Sequence, residues 1–181
     1  MIMKNLLNKK GFTLVETLVA VTILLLATTA AMSAIQMSLQ SSLYAQNQIT
    51  AYYLAEEALE YVHNIRDNNA LIPGNYWLEG LEECFANDCR VDTIASSGAG
   101  TIEPCSGSDC RLKFDADVAT RQVTGYWYGG GVPSNYTRTV RLERVNPDNP
   151  DEVMVTATVV WVAGRYSTSP MVIKTQIYNW Q

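Results

Sequence analysis

No proline occurs between Phe12 and Pro73, and no glycine between Phe12 and Gly74. Both residue types interrupt or weaken a helix interior, so nothing breaks a helix here before about Asp67. At 1.5 Å per residue such a helix is about 80 Å long. Its two halves differ. From Phe12 to Ile35 there is one charge, Glu16, and about 24 residues suffice to cross a hydrocarbon core about 30 Å thick. From Ile35 onward polar residues enter. Ile35, Leu39 and Leu43 then stand at i, i+4 and i+8. Leu54, Ala58, Val62 and Ile65 form a second stripe, with Glu56, Glu57, Glu60 and Arg66 largely off it. The first half is therefore expected to span a membrane and the second to lie against a globular domain.

Glu16 is the anomaly. A charge inside a spanning helix costs about 2.5–3.5 kcal/mol even on the lenient insertion scale. No Lys or Arg follows it until Arg66, so no helix neighbour neutralises it and its partner is expected on another helix. Three lysines, Lys4, Lys9 and Lys10, precede the run. Under the positive-inside bias they hold this end in the cytoplasm, with the C-terminal domain outside.

The basic leader, the stretch Gly11-Phe12-Thr13-Leu14-Val15-Glu16 and the unbroken apolar helix behind it resemble the N-terminus of type IV pilins and type II secretion pseudopilins. The resemblance implies cleavage by a prepilin peptidase after Gly11 and N-methylation of Phe12. It implies that Glu16 pairs with the terminal amine of a neighbouring subunit. It further implies other pilin subunits and an inner-membrane assembly platform as partners, and a single-pass membrane form that becomes a pilus or pseudopilus at the cell surface. The expected fold is an α+β pilin fold, a long N-terminal helix packed on a C-terminal antiparallel sheet. Tyr53 to Glu60, followed by Asn64-Ile65-Arg66-Asp67, is similar to minor pilins of the V or I type. Many major pilins carry a bending proline in the first half of the helix, and this chain has none. The competing readings are an ordinary single-pass anchor and a secretory signal peptide cut near Ala30–Ala34. The length of the apolar run and Glu16 near its front speak against the second.

On this reading the chain divides into a leader (1–11), a transmembrane or filament-core half-helix (12–35), an amphipathic half-helix (36–67), a variable loop region (68–110) and a sheet (111–181). The formal charge of −5 falls to about −8 once the three leader lysines are removed. That balance opposes nucleic-acid binding, which needs a basic footprint.

Four cysteines fall as Cys84-x4-Cys89 and Cys105-x4-Cys110. In an exported domain an even count reads as disulfides. Three pairings are open, of which the two local ones are favoured. A four-cysteine zinc site is the rival, opposed by the loose spacing and the oxidising compartment. Within 68–110, Pro73-Gly74 marks a turn, Leu78–Cys89 reads as a short helix, and residues 95–100 form a small-residue tract. The region is polar and bridged, and is expected to be exposed.

The last third alternates as strands do. Leu112, Phe114, Ala116 and Val118 alternate with charged residues, and Arg121–Tyr128 is β-branched and aromatic. Val140 and Leu142 alternate with Thr139, Arg141 and Glu143. Val153, Val155, Ala157, Val159 and Trp161 share one face, and Met171, Ile173 and Ile177 another. Turn-rich breaks at Gly129–Asn135, Asn146–Asp151 and Gly164–Pro170 favour an antiparallel sheet with one apolar face under the half-helix.

Nothing in the sequence composes an active site, and the chain is read as a non-enzyme. His63 is a lone histidine on the helix, read as a surface residue, and no nucleotide-binding loop occurs. Asn146-Pro147-Asp148-Asn149-Pro150-Asp151-Glu152 has oxygen ligands that would suit calcium, but it reads more simply as a hairpin turn. No other metal or cofactor is expected. Asn135-Tyr136-Thr137 matches a glycosylation triplet. Four tryptophans and ten tyrosines are read as core and cross-strand packing. The function expected is a minor pilin-like structural subunit. The alternatives are a surface-displayed binding module, such as an adhesin, or a secretion pseudopilin.

Overall fold

The structure, a computed structural model, describes residues 11–93, 100–115, 125–163 and 167–180. The leader lysines, Ala116, Val118, most of the 95–100 stretch and half of Arg121–Tyr128 lie outside the described residues. The chain falls into two compact units, Met1–Tyr44 and Ala45–Gln181. One helix, α1 (Leu14–Leu71), runs through the boundary and ends four residues later than expected.

In the first unit every described residue is exposed. α1 is there long and apolar enough to cross a membrane, with a mean hydropathy of 2.3 in its best 18-residue window. Thr17, Thr22, Thr28 and Thr29 donate their hydroxyls to carbonyls three or four residues back, so these polar groups are satisfied within the apolar helix.

In the second unit Ala51, Leu54, Ala55, Ala58, Leu59, Val62 and Arg66 of α1 are buried, and Ile65 packs beside them. The expected stripe is thus the buried one. Alanines at 51, 55 and 58 keep the helix surface low, which lets the sheet approach closely.

The sheet has seven strands: β1 (Cys89–Asp92), β2 (Thr101–Pro104), β3 (Arg111–Asp115), β4 (Gly125–Trp127), β5 (Val132–Asn146), β6 (Asn149–Ala163) and β7 (Ser167–Tyr178). Every pairing is antiparallel. β5 is the hub. Thr137 pairs with Arg111 of β3 and with Val160 of β6, which therefore flank β5 on opposite edges. β1 joins at Cys89↔Val140, and β7 pairs with β6 along its whole length. Val153, Val155, Ala157, Val159 and Trp161 are buried on one face of β6, and Val140, Leu142 and Ile177 are buried on its neighbours. Burying each of these valine, leucine and isoleucine side chains contributes about 1.5–3 kcal/mol.

Three expectations need correction. Residues 68–110 are not simply an exposed loop. Trp77, Leu78, Leu81, Cys84, Cys89 and Val91 belong to the core, and β1 and β2 join the same sheet. The expected helix over Leu78–Cys89 is a 3-10 turn, Glu82–Phe85. Phe114 is not a core residue like Leu112. It is 39% exposed and lies against Tyr126 with the rings tilted, centroids 5.1 Å apart.

Turn chemistry follows the sequence. Pro73-Gly74 turns with Gly74 at φ 82°. Gly131, entering β5, has φ 96°, and a Cβ there would lie 2.4 Å from the Phe114 carbonyl oxygen. Only glycine meets both conditions. β7 starts at Ser167, earlier than the expected break through Pro170.

Candidate assembly site at the helix start

Gly11, Phe12 and Thr13 precede α1 without helical structure, and all three are exposed. Thr13 is the N-cap. Its carbonyl accepts the Thr17 amide at 3.2 Å, and its hydroxyl accepts the Glu16 amide at 3.3 Å. Glu16 thus stands at the third helical position, where Thr-x-x-Glu is the capping-box arrangement. A carboxylate in the first turn also complements the helix dipole. Among the described residues no side chain pairs with the Glu16 carboxylate. The scissile Gly11–Phe12 bond, expected from the sequence, therefore lies in an exposed, non-helical stretch one turn from Glu16.

The cysteines lie in the second unit. Cys84 pairs with Cys89 and Cys105 with Cys110, which is the local alternative of the three. Cys84 and Cys89 are fully buried, and Cys105 is half-buried. The first bridge joins the 3-10 turn to the start of β1.

Sequence reasoning missed Arg138. It sits on β5 among the inward positions Tyr136, Val140 and Leu142, and is fully buried. It donates to the Leu54 carbonyl of α1 at 2.9 Å, to the Val91 carbonyl of β1 at 2.5 Å and to the Glu57 carboxylate at 3.2 Å. Glu57 also accepts from the Thr93 hydroxyl. One guanidinium thereby ties helix, hub strand and β1 together. The signal was its parity: it falls in step with Val140 and Leu142, where a charge must find partners. Tyr136, two residues earlier on that face, donates its hydroxyl to Asn47 of α1 at 2.8 Å.

His63 is half-exposed and lines a shallow hollow on α1 with Glu60 and Asp67. The calcium candidate is a two-residue hairpin turn between β5 and β6, across Asn146↔Asn149. The Asp148 amide donates to the Asn146 side chain, the Asp151 amide to the Asn149 side chain, and the Asn179 side chain to the Asp151 carboxylate. Three of its side-chain oxygens, on Asn146, Asn149 and Asp151, thus accept hydrogen bonds within the protein. Asn135, in the glycosylation triplet, is exposed on β5.

Together these features define an α+β protein with a capped, apolar N-terminal helix and a disulfide-bridged antiparallel sheet in its globular part. Residues 6–32 match the family model described as the prokaryotic N-terminal methylation motif. That match supports the type IV pilin and pseudopilin family. No curated protein and no solved structure matches the chain. The motif implies processing by prepilin peptidase and assembly with other pilins, and it points to a structural subunit. With the apolar helix it supports membrane anchoring followed by pilus assembly.

Proposed function

We propose that this protein is a minor pilin-like subunit of a type IV pilus or related filament, with no catalytic activity and no cofactor of its own. Prepilin peptidase cuts between Gly11 and Phe12 and methylates the new Phe12 amine. The leader lysines keep the N-terminus cytoplasmic while α1 holds the protein in the membrane. An inner-membrane platform then draws it into a helical array with other pilins. Glu16 provides the selective contact, pairing with the Phe12 amine of a neighbour in a heterologous arrangement that need not close.

The observation that carries this reading is the methylation-motif match over the Gly11–Phe12 junction and Glu16. The Glu16 carboxylate, without a side-chain partner among the described residues and in an otherwise apolar run, supports it. Intact-mass analysis of protein from the native membrane tests it. A chain starting at a methylated Phe12 is expected, and a start near Gln36 overturns the reading.

A further inference from the structure

Among the described residues, β7 is paired on one side only: it bonds β6 from Ser167 to Tyr178 and no other strand. Its far edge presents a row of backbone N–H and C=O groups, beginning after Pro170, which has no N–H to offer. Beside it α1 leaves apolar surface uncovered. Ile49 is 58% and Tyr53 67% exposed. With Gln48, Tyr52 and Met171 of β7 they surround an open hollow of ≈ 370 Å³.

These two observations are independent and complementary. An incoming strand would satisfy the β7 backbone, and every second side chain would enter the hollow, which is how a sheet edge recognises an extended peptide. On its other face it would meet Lys174, which is exposed and has no carboxylate partner among the described residues. Arg141, in the same cross-strand row, is already paired with Asp88.

We propose that the β7 edge is a docking site for an extended segment of another protein, with apolar residues on one face and an Asp or Glu opposite Lys174. A second copy is the poorer occupant. Two β7 strands paired about position 174 put Lys174 opposite its own image, and like charges across a pair are destabilising. A helix would fill the hollow but leave the β7 backbone groups unpaired. The proposal does not rest on the filament reading, because its test measures peptide binding and not assembly.

The test uses the full chain in detergent micelles and a short blocked peptide of alternating valine and threonine with one central glutamate. Hydrogen exchange of the amides from Met171 to Tyr178 should slow about tenfold or more at saturating peptide. Ile49→Asp, at an exposed position, should weaken binding about tenfold by removing the apolar wall. Lys174→Glu should reverse the preference between the glutamate peptide and one with a central lysine. Pro170 and Lys174 could instead serve to keep this edge unpaired. Then the peptide gives no protection at β7 and binds only after Lys174→Thr, which overturns the proposal. Protection indifferent to the charge at position 174 overturns it equally.

Discussion

Glu16 donates its backbone amide to the Thr13 hydroxyl at 3.3 Å, in the turn where the Thr13 carbonyl accepts from Thr17. That bond uses the backbone amide and survives Glu16→Gln and Glu16→Ala alike. The Thr-x-x-Glu spacing leaves the side chain two separable roles to test, helix capping and charge pairing. Glutamine serves a capping box as well as glutamate does, but it carries no charge. Glu16→Gln should therefore keep the cap while losing the ion pair. The expected outcome is that Glu16→Gln and Glu16→Ala are both cut and inserted, and both enter filaments poorly. Thr13→Ala, which loses a cap contributing about 1 kcal/mol, should assemble nearly normally. Immunoblots of sheared filaments against membranes read the result. Rescue by Glu16→Gln would assign the role to capping.

Arg138 gives the next prediction. Arg138→Ala should destabilise the domain by about 2–4 kcal/mol, from the lost hydrogen bonds and the cavity left behind. Glu57→Gln should have a smaller effect, about 1 kcal/mol. Its carboxylate is 35% exposed and already screened, and the guanidinium keeps two carbonyls. Thermal melts of the full chain in micelles rank the two. An Arg138→Ala protein that melts like the wild type would rule out the tie between helix and sheet.

How legible this was in the sequence depended on periodicity. Leu54, Ala58 and Val62 on α1, and Val153 to Trp161 on β6, repeat with the period of their element and could be read directly. Residues 77–91 could not. Their apolar side chains are irregularly spaced around a 3-10 turn, and their burial depends on a pairing with β5 about fifty residues away. Arg138 was hidden because charge argues for the surface, while its strand parity points inward. At the helix start, Glu16 stood out in the sequence as a lone charge, but its cap partner Thr13 did not. Thr13 lies inside a motif whose roles fell on Gly11, Phe12 and Glu16, which drew attention away from its hydroxyl.

The two disulfides should contribute unequally. Each closes a loop with a sequence separation of 5, for which loop closure gives about 2 kcal/mol. Cys84 and Cys89 also fill core space, whereas Cys105 is half-buried. Cys84→Ala/Cys89→Ala should lower the melting temperature more than Cys105→Ala/Cys110→Ala. The reverse order would show that the second bridge carries more of the fold than its exposure implies.

The β5–β6 turn should be indifferent to calcium. The side chains of Asn146 and Asn149 accept amides of the turn itself, and Asp151 holds Asn179. Melting temperatures with calcium and with a chelator should coincide. A calcium-dependent rise would restore the turn as a cation site.

Alkaline pH should loosen the domain through its buried phenols. Tyr128 donates its hydroxyl to the Arg138 carbonyl at 3.3 Å. Burial pushes its pKa above the ordinary 10.0, and the nearby Arg138 guanidinium only partly opposes this. Burial raises Tyr61, Tyr126 and Tyr136 in the same direction. The folded state thus keeps these protons where the unfolded chain has lost them. Their contribution to stability is complete below pH 10 and falls as pH rises from there through the raised folded values. Ultraviolet titration should show tyrosinate appearing late, together with loss of structure. Tyr128→Phe should make the alkaline fall in melting temperature shallower. An unchanged fall in that variant would exclude Tyr128 as a source of the alkaline sensitivity.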